Sequence, residues 1–225
     1  MKLNYLKSYL ILLIGLVAAS CELDNFEEPK STLEGRVVYN GEALGLRSQG
    51  VELELWQHGY DLFQKIPVYV AQDGTFSAVL FDGDYKMTLI RGNGPWMDRT
   101  DSIDVQVRGS QMIDVEVQPY YVVSNPSVSV NGNNLSVTFT INGINTNRNL
   151  EFAAIYMGRT SLTDAVRNEG DFIIPAGEIE LGSTVTVEVP IPAALAGRNE
   201  IFVRIGAKTV GIPELLYTQV EGKTL

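Results

Sequence analysis

From residue 31 onward, apolar and polar residues alternate in short runs broken by Gly, Pro, Asn and Asp, and helix-length stretches with a 3.6-residue apolar period are almost absent. Val51-Glu52-Leu53-Glu54-Leu55 shows the rule, with apolar side chains on one face of a strand and carboxylates on the other. Strands are predicted over 33–39, 51–55, 68–71, 75–80, 85–90, 103–107 and 113–117, with Asp73-Gly74 as a hairpin signal and Asp82-Gly83 as a second tight turn. A second series follows over 128–130, 135–141, 150–157, 185–189 and 201–207, opened by an Asn131-Gly132-Asn133 hairpin turn. Segments 162–168 and 191–197 suit one or two helical turns between strands. Pro119 and Pro126 bracket the junction. The expected architecture is all-β: two β-sandwiches in tandem, 31–118 and 127–225, joined by a linker over 119–126.

The first thirty residues depart from this pattern. Lys2 and Lys7 precede an apolar stretch, 9–17, and then Ala18-Ala19-Ser20 precede Cys21. The run is shorter than the roughly 20 residues a spanning helix requires, so an export signal over 1–20 is expected. Small residues before the only Cys resemble the bacterial lipoprotein processing site, which implies lipidation of Cys21 and a lipid anchor in a membrane. The segment 21–30 reads as an acidic tether with too little apolar content to fold alone. Acidic residues just after such a Cys resemble the surface-export signal of Bacteroidetes lipoproteins, which implies an outer-membrane, outward-facing location. Removing 1–20 leaves 15 basic against 27 acidic side chains, a net of −12.

Composition narrows the chemistry. One Cys and one His in 225 residues leave no internal disulfide and no multi-histidine metal site. A formal charge of −10 opposes a phosphate backbone, so nucleic acid is not an expected partner. Asp98, Asp101 and Asp104 lack the spacing of a calcium loop and read as a solvated entry to a strand. No Gly-x-Ser-x-Gly elbow occurs, His58 has no recognisable nucleophile partner, and the abundance of acids singles out no glycosidase pair. No catalysis, metal or cofactor is expected.

Gly35-Arg36-Val37, Asn40-Gly41-Glu42-Ala43-Leu44, Asp73-Gly74-Thr75-Phe76 and Gly83-Asp84-Tyr85-Lys86 resemble the transthyretin-like or carboxypeptidase-regulatory-like sandwich, with Phe76 and Tyr85 as large core side chains. The second sandwich is expected to be of immunoglobulin or fibronectin type. Together with the lipoprotein start, the Gly92-Asn93-Gly94-Pro95-Trp96 loop and the Pro119-Tyr120 junction, these features resemble the Bacteroidetes lipoprotein family called domain of unknown function 3823 over the whole mature chain. The resemblance implies a setting in polysaccharide-utilisation systems, with a polysaccharide or oligosaccharide, an outer-membrane importer and glycan-binding lipoproteins as partners. It carries over no site residue.

Sugar-binding sandwiches present aromatic rings to the apolar faces of sugars, with carboxylates, amides and Arg holding the hydroxyls. Two places fit. In the loop 91–99, Trp96 stands beside Asp98 and Arg99; it is either a sugar platform or a plug closing the end of the sandwich. Continuing the alternation of 51–55 puts Trp56 and His58 on the face opposite Leu55, with Tyr60 and Asp61 beyond; Trp56 is either a platform or packs under a loop or the second domain. The alternative role is an adaptor that binds envelope proteins through sandwich edges or the groove near Tyr120 and Tyr121. Phe202 and Arg204, opposite Ile201, Val203 and Ile205, then mark a contact patch or simply meet the first domain.

Overall fold

The computed structural model describes residues 27–59 and 63–225. The expected signal segment 1–20, Cys21, the tether up to residue 26, Tyr60 and Asp61 lie outside the described residues.

The first domain contains β1 (Ser31–Tyr39), β2 (Glu42–Ala43), β3 (Glu52–Gln57), β4 (Lys65–Tyr69), β5 (Thr75–Leu80), β6 (Gly83–Leu89), β7 (Ile103–Val107) and β8 (Gln111–Glu116). β1 pairs antiparallel with β2 and β5 and parallel with β8. The facing sheet runs β4-β3-β6-β7. Inward residues of both sheets, among them Leu33, Val37, Leu53, Leu55, Phe76, Tyr85, Met87 and Val115, merge into one core. Glycine is required at position 35: a Cβ there would sit 2.3 Å from Phe76 Cζ and 2.4 Å from the Ile113 carbonyl oxygen. The expected Asp73-Gly74 hairpin is a turn between sheets instead. The Ala71 N–H does bond to the Thr75 carbonyl at 2.7 Å, but β4 and β5 then diverge into opposite sheets. Turn chemistry is local, whereas the sheet each strand joins is a tertiary matter.

The second domain contains β9 (Tyr121–Asn131), β10 (Asn134–Gly143), β11 (Leu150–Gly158), β12 (Gly170–Pro175), β13 (Thr184–Pro190), β14 (Glu200–Thr209), β15 (Leu216–Tyr217) and β16 (Glu221–Thr224). One sheet runs β13-β10-β9; the other runs β12-β11-β14, with β15 and β16 both on β14. Leu135, Val137, Phe139 and Ile141 alternate inward from β10 against Ile201, Val203 and Ile205 of β14. Segment 162–168 forms turns and bends without a helix, whereas 191–197 carries a single 3-10 turn, Ala193–Leu195. Residues 121–126, expected in the linker, form the first half of β9, and Tyr120 and Tyr121 are buried in the second core. Among the described residues, all buried members of the cores lie between Leu33 and Tyr217, so a chain starting at Glu22 retains both.

Two seams join the domains. At the first, Gly45 and Tyr217 form an isolated bridge, with the Tyr217 N–H donating to the Gly45 carbonyl at 2.9 Å, and Leu216 enters the core of the first domain. Arg204 lies there at 0% exposure, its Nε donating to Thr218 O at 2.9 Å, Nη1 to Leu46 O at 2.8 Å and Nη2 to Gln72 O at 2.9 Å. Its guanidinium also sits 4.6 Å from the Tyr217 ring centre. Burial pushes Arg204 down to about 10, so it remains charged at neutral pH while three carbonyl dipoles replace its water. Arg47 pairs with Glu214 across the same seam. At the second seam, the Tyr120 N–H donates to Pro95 O at 3.2 Å and Asn145 Nδ2 to Met97 Sδ at 3.2 Å.

Candidate functional site

The two predicted aromatic sites have opposite fates. Trp96 is 2% exposed and belongs to the first core, so it has no face to offer a sugar; the expectation of a platform is corrected to that of a plug. The loop folds inward because Gly94 has no side chain: a Cβ there would lie 2.2 Å from the indole ring. Its polar residues hold it shut. Asp98 Oδ1 accepts from the Gly92 N–H at 2.7 Å, and Asn93 Oδ1 accepts from the Glu52 N–H at 2.7 Å. Arg99 pairs with Asp101 through Nη2 at 2.8 Å and donates to Glu116 O at 3.2 Å. This hydrogen bonding holds Asp101 below the usual carboxylate range and Arg99 above the usual arginine range. Asp98 and Arg99 therefore brace the loop, beside a Trp96 ring that is turned into the core.

Trp56 and His58 lie, as the alternation predicts, on the outer face of the β4-β3-β6-β7 sheet. Cross-strand register sets Trp56 between Lys65 and Lys86, and Lys86 opposite Asp104. Trp56 is half-buried: its Nε1 donates to Thr88 Oγ1 at 3.1 Å, and one side packs on Phe63 with ring centres 5.1 Å apart. His58 stacks on the other part of this group, 4.8 Å from the Phe63 ring centre. Packing under a loop thus holds for one side of Trp56, and Phe63 itself is 49% exposed. Phe63 escaped the sequence reading because it follows β3 in a loop, where no alternation assigns a face. Tyr60 cannot be placed with this group, being outside the described residues.

Beside the aromatic group is an open concavity of about 570 Å³ over β6 and β7, bordered by His58, Asp84, Lys86, Asp104 and Gln106. The charges of this face are paired with one another. Lys65 Nζ reaches Glu52 at 2.8 Å and Glu54 at 3.0 Å, which holds its ammonium above the usual lysine range. Lys86 pairs with Asp104, and Arg108 Nη2 lies 3.1 Å from Asp84. A ligand here meets ring faces and hydrogen-bonding groups but no uncompensated cation. Among the described residues no group of three or more His, Cys, Asp or Glu side chains is placed to hold a metal.

Phe202 and Arg204, the suggested external patch, divide. Arg204 meets the first domain, and Phe202 is half-buried beside Gly222 of β16.

The profile described as "Protein of unknown function (DUF3823) N-terminal domain" matches residues 31–118, and that described as "Domain of unknown function (DUF3823_C)" matches 121–222. No curated protein matches. The solved structure of a DUF3823 family protein from Bacteroides ovatus is 38% identical, with a TM-score of 0.83 over 87% of this chain and 100% of that one. One from Parabacteroides merdae is 33% identical, with a TM-score of 0.81 over 87% of this chain and 99% of that one. A protein from Bacteroides uniformis named as a candidate carbohydrate binding protein is 18% identical, with a TM-score of 0.71 over 88% of this chain and 100% of that one, a likeness of fold.

Proposed function

The chain belongs to the DUF3823 family, and we propose that it is a non-catalytic, surface-anchored accessory lipoprotein that binds a neutral glycan on the outer face of its first sandwich. The observation that carries this reading is the group of Trp56, His58 and Phe63 beside a concavity whose charged side chains are already paired. Aromatic rings cover the apolar faces of sugar rings, and amide, carboxylate and ammonium groups at the rim hold the hydroxyls. The charged side chains of this face, Glu52, Glu54, Asp84 and Asp104 against Lys65, Lys86 and Arg108, leave one negative charge in excess, which disfavours polyanionic saccharides. The carbohydrate-binding name of the Bacteroides uniformis protein is in keeping with it.

The anchor is Cys21, the export signal 1–20, and the setting a polysaccharide-utilisation system with an importer and other glycan-binding lipoproteins. Of the residues named for an adaptor role, Tyr120, Tyr121 and Arg204 serve contacts inside the chain, while Phe202 is half-buried.

Affinity electrophoresis of the chain from Glu22 against neutral and anionic polysaccharides tests the site. Retardation by a neutral polymer, lost in a Trp56→Ala, Phe63→Ala double variant that unfolds normally, is the expected result. Retardation only by anionic polymers, or none by any, overturns it. Radiolabelled palmitate incorporated by the full chain and lost in Cys21→Ala tests the anchor.

A further inference from the structure

The groove between the two domains, close to the first seam, is a second recess on the molecule. Its volume is about 590 Å³, within the roughly 300–1,000 Å³ of small-molecule sites, which favour domain interfaces. The first domain contributes Tyr39, Asn40 and Glu42 to its wall, and the second contributes Asn125, Gln219 and Glu221. Among the described residues, no Lys, Arg or His lines it.

Among the described residues, two of the three non-glycine residues with positive φ face this one recess from different domains: Asn40 at 52° and Asn125 at 51°. The Asn40 backbone has a local explanation, since Asn40-Gly41 forms the tight turn from β1 to β2. Asn125 does not lie in a turn. It sits inside β9 where the pairing to β10 slips, Ser127 facing Thr138 and Ser124 facing Thr140. Such bulges re-aim side chains and recur beside binding sites.

The walls are held in place. The Asn40 N–H donates to Glu116 Oε1 at 2.9 Å, Asn142 Nδ2 donates to Ser124 Oγ at 2.6 Å, and Gln219 Nε2 reaches Ala43 O and Asp73 O at 3.4 Å each. Behind them stand Arg204 and the Gly45–Tyr217 bridge. Glu221 is engaged by Lys223 at 2.7 Å. The side chains of Asn40, Asn125 and Glu42 make no hydrogen bond or ion pair among the described residues.

From the recess, its amides and its carboxylates we infer that this interdomain cleft binds a short neutral saccharide, independently of the outer face. Primary amides donate to and accept from hydroxyls, the Glu42 carboxylate can take two adjacent hydroxyls, and the partly buried Tyr39 supplies a ring. An anion would meet the unpaired Glu42 carboxylate, with the one nearby ammonium, Lys223, already on Glu221, while an apolar ligand would strip water from the amides without replacing it.

Titration calorimetry on the chain from Glu22 separates the two surfaces, with cello-, xylo-, manno- and maltohexaose as probes. Asn40→Gly with Asn125→Gly removes both amides and keeps the backbone free to hold positive φ, so folding is preserved. The expected result is that the Trp56→Ala, Phe63→Ala variant still binds one hexaose, and that adding the two Asn→Gly changes to it weakens this at least tenfold. Loss of all binding in the Trp56→Ala, Phe63→Ala variant supports the outer face and overturns the cleft. Unaltered binding there with loss in the Asn→Gly variant supports the cleft and overturns the outer face. A change below twofold from the Asn→Gly pair, or a wild-type chain that binds none of the four hexaoses, overturns the cleft.

Discussion

The two tryptophans occupy the same domain and meet opposite environments. Trp56 stands on a strand at an outward position, and its surroundings are a loop phenylalanine and charged neighbours paired with one another. Trp96 belongs to a loop, the setting in which binding residues are usually sought, yet its ring fills the core while the loop's polar groups bond to one another. The difference teaches that being off a strand does not make a side chain available. What matters is whether the backbone can approach the ring closely enough to bury it, and at Gly94 it can. Arg204 adds the converse, an outward strand position of the second domain buried by the first.

The comparison is most sharply tested by truncation. Trp96→Ala should cost about 3–5 kcal/mol in urea unfolding, as large-to-small changes in cores do, and should shift the midpoint of the first domain strongly. A loss below about 1 kcal/mol would mean that the ring does not fill the core. Arg204→Met is expected next. It leaves the carbonyls of Thr218 and Leu46 without their donor, each costing about 1 kcal/mol or more, and leaves Gln72 O with the Leu46 N–H alone, so hydrogen exchange should quicken along β15. Gly94→Ala should then cost about 1–3 kcal/mol, because the new methyl group overlaps the indole. In a Trp56→Phe background, the emission of Trp96 should shift to the red as the ring is displaced.

Trp56→Ala should cost only about 1 kcal/mol, the scale of one aromatic pair, while abolishing sugar binding on the outer face and leaving that of the cleft. Acid has the smallest expected effect. Asp101, Asp114 and Asp82 lie below the ordinary carboxylate value because of hydrogen bonds from Arg99, Arg36 and the Ser31 hydroxyl respectively. A carboxyl depressed in the folded state adds stability above its unfolded pKa of roughly 4, and loses it as pH falls through the folded value. The urea midpoint should therefore hold from pH 7 to about 5 and decline below about 4, and Asp101→Asn should flatten part of that decline.

Much of the strand content is legible in the chain because a half-buried strand writes a period of two. The predicted 75–80 and 103–107 coincide with β5 and β7, and β10 and β14 extend their predicted strands by one to two residues at each end. β12 went unseen. It is an edge strand whose Asp171-Phe172-Ile173-Ile174 breaks the alternation, with Ile173 51% exposed. β15 has two residues, too few to carry any period. Of the candidate site, the alternation places Trp56 and His58 correctly, while Phe63 and the interdomain recess depend on how segments distant in sequence come together.

By itself, the order of residues determined where most of the longer strands run, which faces of them are dry and where tight turns fall, because these depend on neighbours one or two positions away. Only the tertiary structure decided that β4 and β5 part into different sheets, that Trp96 is core, that Arg204 is sealed by Leu46 and Gln72, and that Asn40 and Asn125 share one recess. Each of those depends on what covers a surface, and the covering segments lie dozens of residues away along the chain.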